Sequence, residues 1–100
     1  MAKVKFRQEA IEDLSSIWEY TYNEWSENQA DEYYHLIKLA CSEIGFNPQI
    51  GKKYLEIRKQ LFGFRIRKHI IFYHLVSDKE IEIIRILHER KDLKDKLIDL

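Results

Sequence analysis

The spacing of apolar positions changes twice along the chain, and each change marks a new kind of element. From Ala2 to Arg7, Val4 and Phe6 alternate with Lys3, Lys5 and Arg7, the period of a short half-buried strand. From Gln8 the period lengthens, with Ala10, Leu14, Ile17 and then Thr21 or Tyr22 recurring every three to four residues. Glu9, Glu12 and Asp13 fall in the first turn, where the helix dipole favours anions, so a first helix is predicted to run to Asn23. Ser26 followed by Gln29 fits a capping box, and Ala30, Tyr33, Ile37, Ala40 and Ile44 then form one apolar stripe along a second helix of about five turns. Gly45 suits a left-handed cap, and Pro48 forbids continuation. The link around Glu24 and Trp25 is short enough to make the two helices an antiparallel hairpin.

After the Phe46 to Gly51 turn the apolar residues are β-formers. Phe62 to Ile66, His69 to Val76 and Glu80 to Leu87 read as strands, whereas Tyr54 to Leu61 is too charged to assign. Ser77, Asp78 and Lys79 make a hairpin connection. In the last strand Ile81 and Ile83 face one way and Ile84 and Ile86 the other. This requires burial on both faces or a bulge, and it predicts a place in the middle of the sheet. Asp92 to Leu100 carries Leu93, Leu97 and Leu100 at helical spacing. The order β-α-α-β-β-β, with an optional C-terminal helix, describes an α+β domain in which a helical hairpin packs on a small, mostly antiparallel curved sheet. The other face of that sheet is left to solvent or to a partner.

Composition narrows the setting. A chain of 100 residues holds one domain, spanning residues 1–100. The single Cys41 forms no internal disulfide, and no charged leader precedes an apolar segment, so a cytoplasmic location is expected. Ile70 to Val76, the longest strongly apolar stretch, is interrupted by His74 and far short of the ~20 residues of a membrane span. The net charge of zero conceals a sorting of charges: Gln8 to Asn47 carries −8 and Lys52 to His69 carries +6. One end of the molecule should draw anionic surface that the other repels. Solvated helices and a lysine-protected sheet edge would produce the same sorting.

Most enzyme chemistries lack their residues here. There is no CxxC pair, no HExxH and no glycine-rich phosphate loop, and the four histidines are scattered, so neither a metal site nor a cofactor is expected. What stands out is a set of cations and aromatics on the strands: Arg65, Arg67, Lys68, His69, Tyr73, Arg85, His88 and Arg90. Guanidinium groups on a rigid sheet clamp phosphates bidentately, and a neighbouring histidine can shuttle a proton in RNA cleavage. The structural alternative pairs Arg85 with Glu82 or Glu89 and makes His88 a satisfied strand-end residue. Tyr33, Tyr34, Phe72 and Tyr73 are expected in the core. At Arg85–Asp92, R-I-L-H-E-R-K-D, an apolar strand ends in charge with no turn residue, which suggests a functional edge.

Several short motifs occur in a telling order: A-x-x-D-L-x-x-I-x-x-Y from Ala10 to Tyr20, then Trp25, Gln29, Ala30 and Tyr33, then N-P-x-x-G at Asn47 to Gly51, H-I-I-F-Y at His69 to Tyr73, and R-I-L-H-E-R-K-D. Together they resemble the ParE branch of the RelE/ParE superfamily, the toxins of bacterial type II toxin–antitoxin operons, also called plasmid stabilisation proteins. The resemblance implies a helical hairpin on a curved antiparallel sheet and a cognate antitoxin whose disordered C-terminal segment folds on the toxin. It also implies one of two targets. ParE-like toxins are associated with DNA gyrase inhibition, whereas RelE-like toxins cut mRNA in the ribosome. The leading expectation is a non-enzymatic gyrase-binding toxin, without catalytic residues, that meets its target through Arg85, His88, Arg90 and Lys91. An acidic antitoxin segment would cross Arg58, Lys59 and Arg65 in a toxin–antitoxin hetero-oligomer. The alternatives are a ribosome-dependent endoribonuclease using Arg65, Arg67, Arg85 and His88, and a relic that only binds antitoxin. No tyrosine follows Tyr73, which departs from the ribonuclease pattern.

Overall fold

The opening alternation becomes β1 (Lys3–Phe6), with Val4 and Phe6 packed against the main core. A computed structural model describes residues 1–91 and 93–97. After β1 come α1 (Gln8–Glu24), α2 (Glu27–Phe46), β2 (Lys52–Lys53), β3 (Leu61–Ile66), β4 (His69–Ser77), β5 (Glu80–His88) and α3 (Leu93–Leu97). The five strands lie in the order β1-β5-β4-β3-β2, antiparallel except for the β1–β5 pair. The α+β class, the helical hairpin and the three long strands are as the sequence predicts. No helix among the described residues is long and apolar enough to cross a membrane.

The second helix starts as the capping pattern requires, with Ser26 Oγ accepting from the Gln29 N–H at 3.1 Å. Ala30, Ile37, Ala40 and Ile44 are buried and Tyr33 is half-buried, so the stripe is the sheet-facing side. Tyr34 lies outside it and is exposed, a correction to the expected core set. Gly45 is no left-handed cap: the helix continues through Phe46, and no glycine has positive φ. Its small size has another cause. A Cβ there would lie 2.9 Å from Val4 Cγ2, and the Gly45 carbonyl accepts from Ala2 N–H at 2.8 Å, so β1 needs the bare backbone to reach the hairpin. The N-P-x-x-G turn is latched by Tyr73. Its hydroxyl donates to the Pro48 carbonyl at 2.8 Å and accepts from Gly51 N–H at 3.0 Å, and a Gly51 Cβ would lie 2.8 Å from that oxygen.

β5 is interior but second from the edge, not central, because the parallel β1 adds only one strand beyond it. Both sequence-level explanations for its double apolar pattern hold. The register moves from Phe72↔Arg85 to Tyr73↔Ile83, leaving Ile84 as a bulge residue. Ile81, Ile83 and Ile86 join the core beneath the hairpin, while Ile84 and Leu87 join a second cluster with Leu61, Ile70, Phe72 and Leu97. The sheet's second face is therefore not left bare, as the sequence suggested. Tyr54 and Ile57, from the segment too charged to assign, cover it together with α3. Leu93 and Leu97 are the described part of the terminal stripe; Asp92 and Leu100 lie outside the described residues.

Candidate functional site

The C-terminal end of β5 gathers most of the chemistry. Next to the Ile84 bulge, Arg85 reaches across to α1, where its Nε and Nη2 donate to the two carboxylate oxygens of Asp13 at 2.7 and 2.8 Å. Ile86 N–H donates to Asp13 Oδ2 at 2.9 Å, so one carboxylate ties both side chain and backbone of β5 to the first helix. The paired carboxylate raises the Arg85 pKa, so its positive charge is fixed. The structural alternative for Arg85 was right in kind and wrong in partner. Glu82 pairs instead with Arg7 at 2.8 Å, and Glu89 with Arg65 at 2.7 Å.

His69 begins β4 directly opposite His88, with the rings edge to face at 5.3 Å. Its Nδ1 is 2.6 Å from the Tyr33 hydroxyl, which also donates toward the Ile66 carbonyl at 3.3 Å. Burial, helped by the facing His88, pushes the His69 pKa down to about 4, so that ring is neutral at neutral pH. Burial also raises the Tyr33 pKa. Neither group supplies positive charge to the edge. His88 Nδ1 accepts from Arg90 N–H at 3.1 Å, which leaves the proton of the neutral ring on Nε2.

Between α1, the end of β5 and α3 lies a cleft of about 550 Å³, lined among others by Ile17, Tyr20, His69, Leu87, His88, Lys91 and Lys96, with the Asp13–Arg85 pair in its wall. Arg65 and Arg67 flank the β3–β4 turn at the same end of the sheet. Arg65 is held by Glu89 and by the Arg67 carbonyl at 3.0 Å, while Arg67, in the left-handed region at φ 53°, lies over the Tyr33 ring at 5.8 Å. Arg58 and Lys59 are elsewhere. They precede β3, whereas Arg65 lies near its far end, so the set expected to face an antitoxin is divided along the length of the strand. Lys59 instead lines a shallow groove of about 300 Å³ with Lys53, Leu55, Gln60, Leu61 and Phe62. Among the described residues no group of three or more His, Cys, Asp or Glu is placed to hold a metal.

This architecture has known counterparts. The family model described as the ParE toxin of type II toxin–antitoxin system, parDE, matches residues 4–93. The chain belongs to the ParE toxin family. Toxin ParE1 of Mycobacterium tuberculosis is 32% identical over 84 residues, covering 84% of this chain and 86% of the relative. Toxin ParE1 of Caulobacter vibrioides is 26% identical, covering 97% of this chain and 99% of its own length. A solved chain from the chromosomal ParDE TA system of P. aeruginosa shares the fold, with a TM-score of 0.75 at 18% identity over 88% of this chain and 96% of that one. The protein is thus a toxin of a ParDE type II toxin–antitoxin system, and its β-α-α-β-β-β-β-α order is the family's fold carried by these residues.

Within this ParE fold, Arg85, His88 and Lys91 come together at the cleft, and Arg90 adjoins them in sequence but is not among the lining residues. Lys96, Tyr20 and Asp13 belong to the site and carried no assigned role in the sequence. Asp13 had a signal: it is an acid set within the Ala10, Leu14, Ile17 stripe, where a carboxylate needs a cation across the interface. Lys96 had none, because its place depends on where α3 docks.

Proposed function

We propose that this ParE toxin acts by binding DNA gyrase rather than by cutting RNA, in the cytoplasm, and that a cognate antitoxin neutralises it by covering its basic surfaces. The carrying observation is the bidentate Arg85–Asp13 pair. For Arg85 to clamp a phosphate, it would have to leave two short charge-assisted bonds and strand a carboxylate that is only 15% exposed, at about 3 kcal/mol or more. Arg65 is likewise occupied by Glu89, and His69 is held neutral beside His88. These arrangements favour a fixed binding surface over a phosphate-handling centre. Gyrase as the target rests on the ParE resemblance.

The antitoxin reading draws on a different surface. The two-residue β2 at the sheet edge, with Lys53 and Lys59 beside the shallow groove and Leu55 exposed, offers backbone groups, positive charge and apolar contact to an acidic segment that folds on arrival. Charge reversal at Lys59 is expected to weaken antitoxin binding and lessen the further weakening by salt, whereas reversal at Arg65 should act through the Glu89 pair at the other end of β3.

The deciding experiment uses purified toxin, relaxed plasmid and gyrase with no ribosomes present. Loss of supercoiling is expected, together with intact mRNA when toxin meets translating ribosomes. His88→Ala should weaken inhibition only partially, since one edge contact contributes roughly 1–2 kcal/mol, whereas loss of a proton-transfer group costs 10²–10⁴-fold in rate. Ribosome-dependent cleavage abolished by His88→Ala, in a protein that folds and binds antitoxin, would replace this reading with the ribonuclease.

A further inference from the structure

The cleft beside the Asp13–Arg85 pair has a charge pattern that the pair itself does not explain. Arg85 is neutralised by Asp13, yet Lys91 and Lys96 stand at the cleft with no carboxylate partner among the described residues. His88 adds its Nε2–H, because Nδ1 is occupied by the Arg90 N–H. The lining also has an apolar part in Ile17, Leu87 and Tyr20, the last 65% exposed. An exposed tyrosine and two ammonium groups without a carboxylate partner among the described residues give this concavity an amphipathic lining.

We infer that this cleft receives an acidic peptide segment of the toxin's protein target, with a carboxylate held by Lys91, Lys96 and the His88 Nε2–H and an adjoining apolar side chain laid on Ile17, Tyr20 and Leu87. This deepens the binding-toxin reading above and rests on it for the identity of the target. Charge complementarity selects the occupant. A nucleic acid would bring a phosphate at every nucleotide, and the α1 side of the cleft is acidic: Glu9 and Glu12 are close enough to act on Arg85, whereas Asp13 and Glu89 are taken up by Arg85 and Arg65. A polyanion gains at the two lysines and is repelled on the α1 side, while a single carboxylate is not. The apolar wall also suits a side chain better than a sugar-phosphate backbone. The cleft volume of about 550 Å³ is of the size that takes one or two side chains.

Two measurements separate this inference from the gyrase reading. In the first, the isotope-labelled full chain is titrated with the capped peptide acetyl-Leu-Glu-Leu-Glu-amide and with its Gln counterpart, following amide shifts. The Glu peptide should move His88, Lys91 and Lys96, the Gln peptide should bind at least ten-fold more weakly, and Lys91→Gln with Lys96→Gln should abolish the difference. Equal binding of the two peptides, shifts confined to the Lys52 to Lys59 region, or tighter saturation by a tetranucleotide would overturn the inference. In the second, gyrase binding and supercoiling are measured with wild type, with Lys91→Glu plus Lys96→Glu, and with Lys94→Glu on the same helix but away from the cleft. The double variant should bind gyrase at least ten-fold more weakly at unchanged melting temperature, and Lys94→Glu should match wild type. A cleft that discriminates the peptides in a toxin that leaves gyrase untouched removes gyrase and keeps the cleft. Gyrase inhibition that is indifferent to the double variant removes the cleft as the target's receptor and keeps gyrase.

Discussion

The two faces of the sheet have similar residues and different covers. Beneath the hairpin, Phe62, Ile71, Tyr73, Ile81, Ile83 and Ile86 meet Ala10, Leu14, Ile37, Ala40, Cys41 and Ile44 from two helices of 17 and 20 residues. On the other face, Leu61, Ile70, Phe72, Ile84 and Leu87 meet Tyr54, Ile57, Leu93 and Leu97 from a turn-rich segment and a five-residue helix. The strands bury both sides equally well, but long helices hold themselves together and a five-residue one does not. The hairpin face should therefore carry the global stability, and the other face should open locally at a fraction of that cost. The cleft lies where the two covers meet, between α1 and α3, so its two walls differ in stiffness.

The strongest way to break this comparison is Ile37→Asp. Ile37 is fully buried in the hairpin core, and an unpaired carboxylate there removes several kcal/mol from a total of roughly 5–15. Global unfolding is expected in a denaturant titration, with toxicity lost as a consequence. A folded Ile37→Asp with an unchanged midpoint would mean that the hairpin face does not dominate.

Asp13→Asn tests the tie between hairpin and strand rather than the core. The amide keeps the shape but loses the charge, leaving Arg85 poorly compensated where its side chain is only 20% exposed. A cost of about 3 kcal/mol is expected, with Asp13→Asn plus Arg85→Met recovering part of it. If the double substitution were no better than the single one, the pair would not be the link.

What the sequence revealed of all this follows the range of the forces involved. The hairpin was legible because its stripe at Ala30, Ile37, Ala40 and Ile44 and its Ser26 cap are local patterns. The charged strand end at His88 was legible too, since β5 loses its apolar residues within two positions. The Asp13–Arg85 pair spans 72 positions, and only Asp13's place on the stripe hinted at it. Gly45 misled because a helix-ending glycine and one needed for close packing look alike until β1 is placed against it. β2 is two residues long, too short for any period to show, and the cover from Tyr54 and Ile57 was hidden among charges. The division of Arg65 from Arg58 and Lys59 required knowing that β3 runs its full length between them.

The thin cover is tested by Leu97→Ala. Leu97 is 1% exposed on a five-residue helix, so its truncation costs about 2 kcal/mol, the low end for a buried leucine, because α3 can detach instead of leaving a cavity. Hydrogen exchange should quicken in α3 while α2 amides keep their protection. Uniform loss of protection in both would show that the two faces unfold as one unit and that the proposed difference in stiffness is absent.

Acid should reach the stiffer face at one place, by a smaller amount. The folded His69 has a pKa of about 4 where an ordinary histidine has 6.5, so between these values the unfolded chain binds a proton that the folded chain refuses. The stability contributed by the neutral ring is complete above pH 6.5 and is lost as pH falls toward 4. His74 on the same strand, its pKa also lowered mainly by burial, contributes with the same sign. From pH 7 to 5 His69 is expected to account for about 1 kcal/mol, a value reduced for its partial exposure to solvent. His69→Asn retains a short side chain able to hydrogen-bond Tyr33, whose ring packs against the hairpin core, and loses the titration. Its stability should therefore fall less steeply than that of wild type over this range, with His74 supplying what slope remains. Because Tyr33 belongs to α2, the acid-sensitive contact lies on the hairpin side, and exchange at Tyr33 and Ile66 should quicken with falling pH before exchange at Leu61 does. Identical pH slopes for wild type and His69→Asn would remove His69 as the weak point of the stronger face.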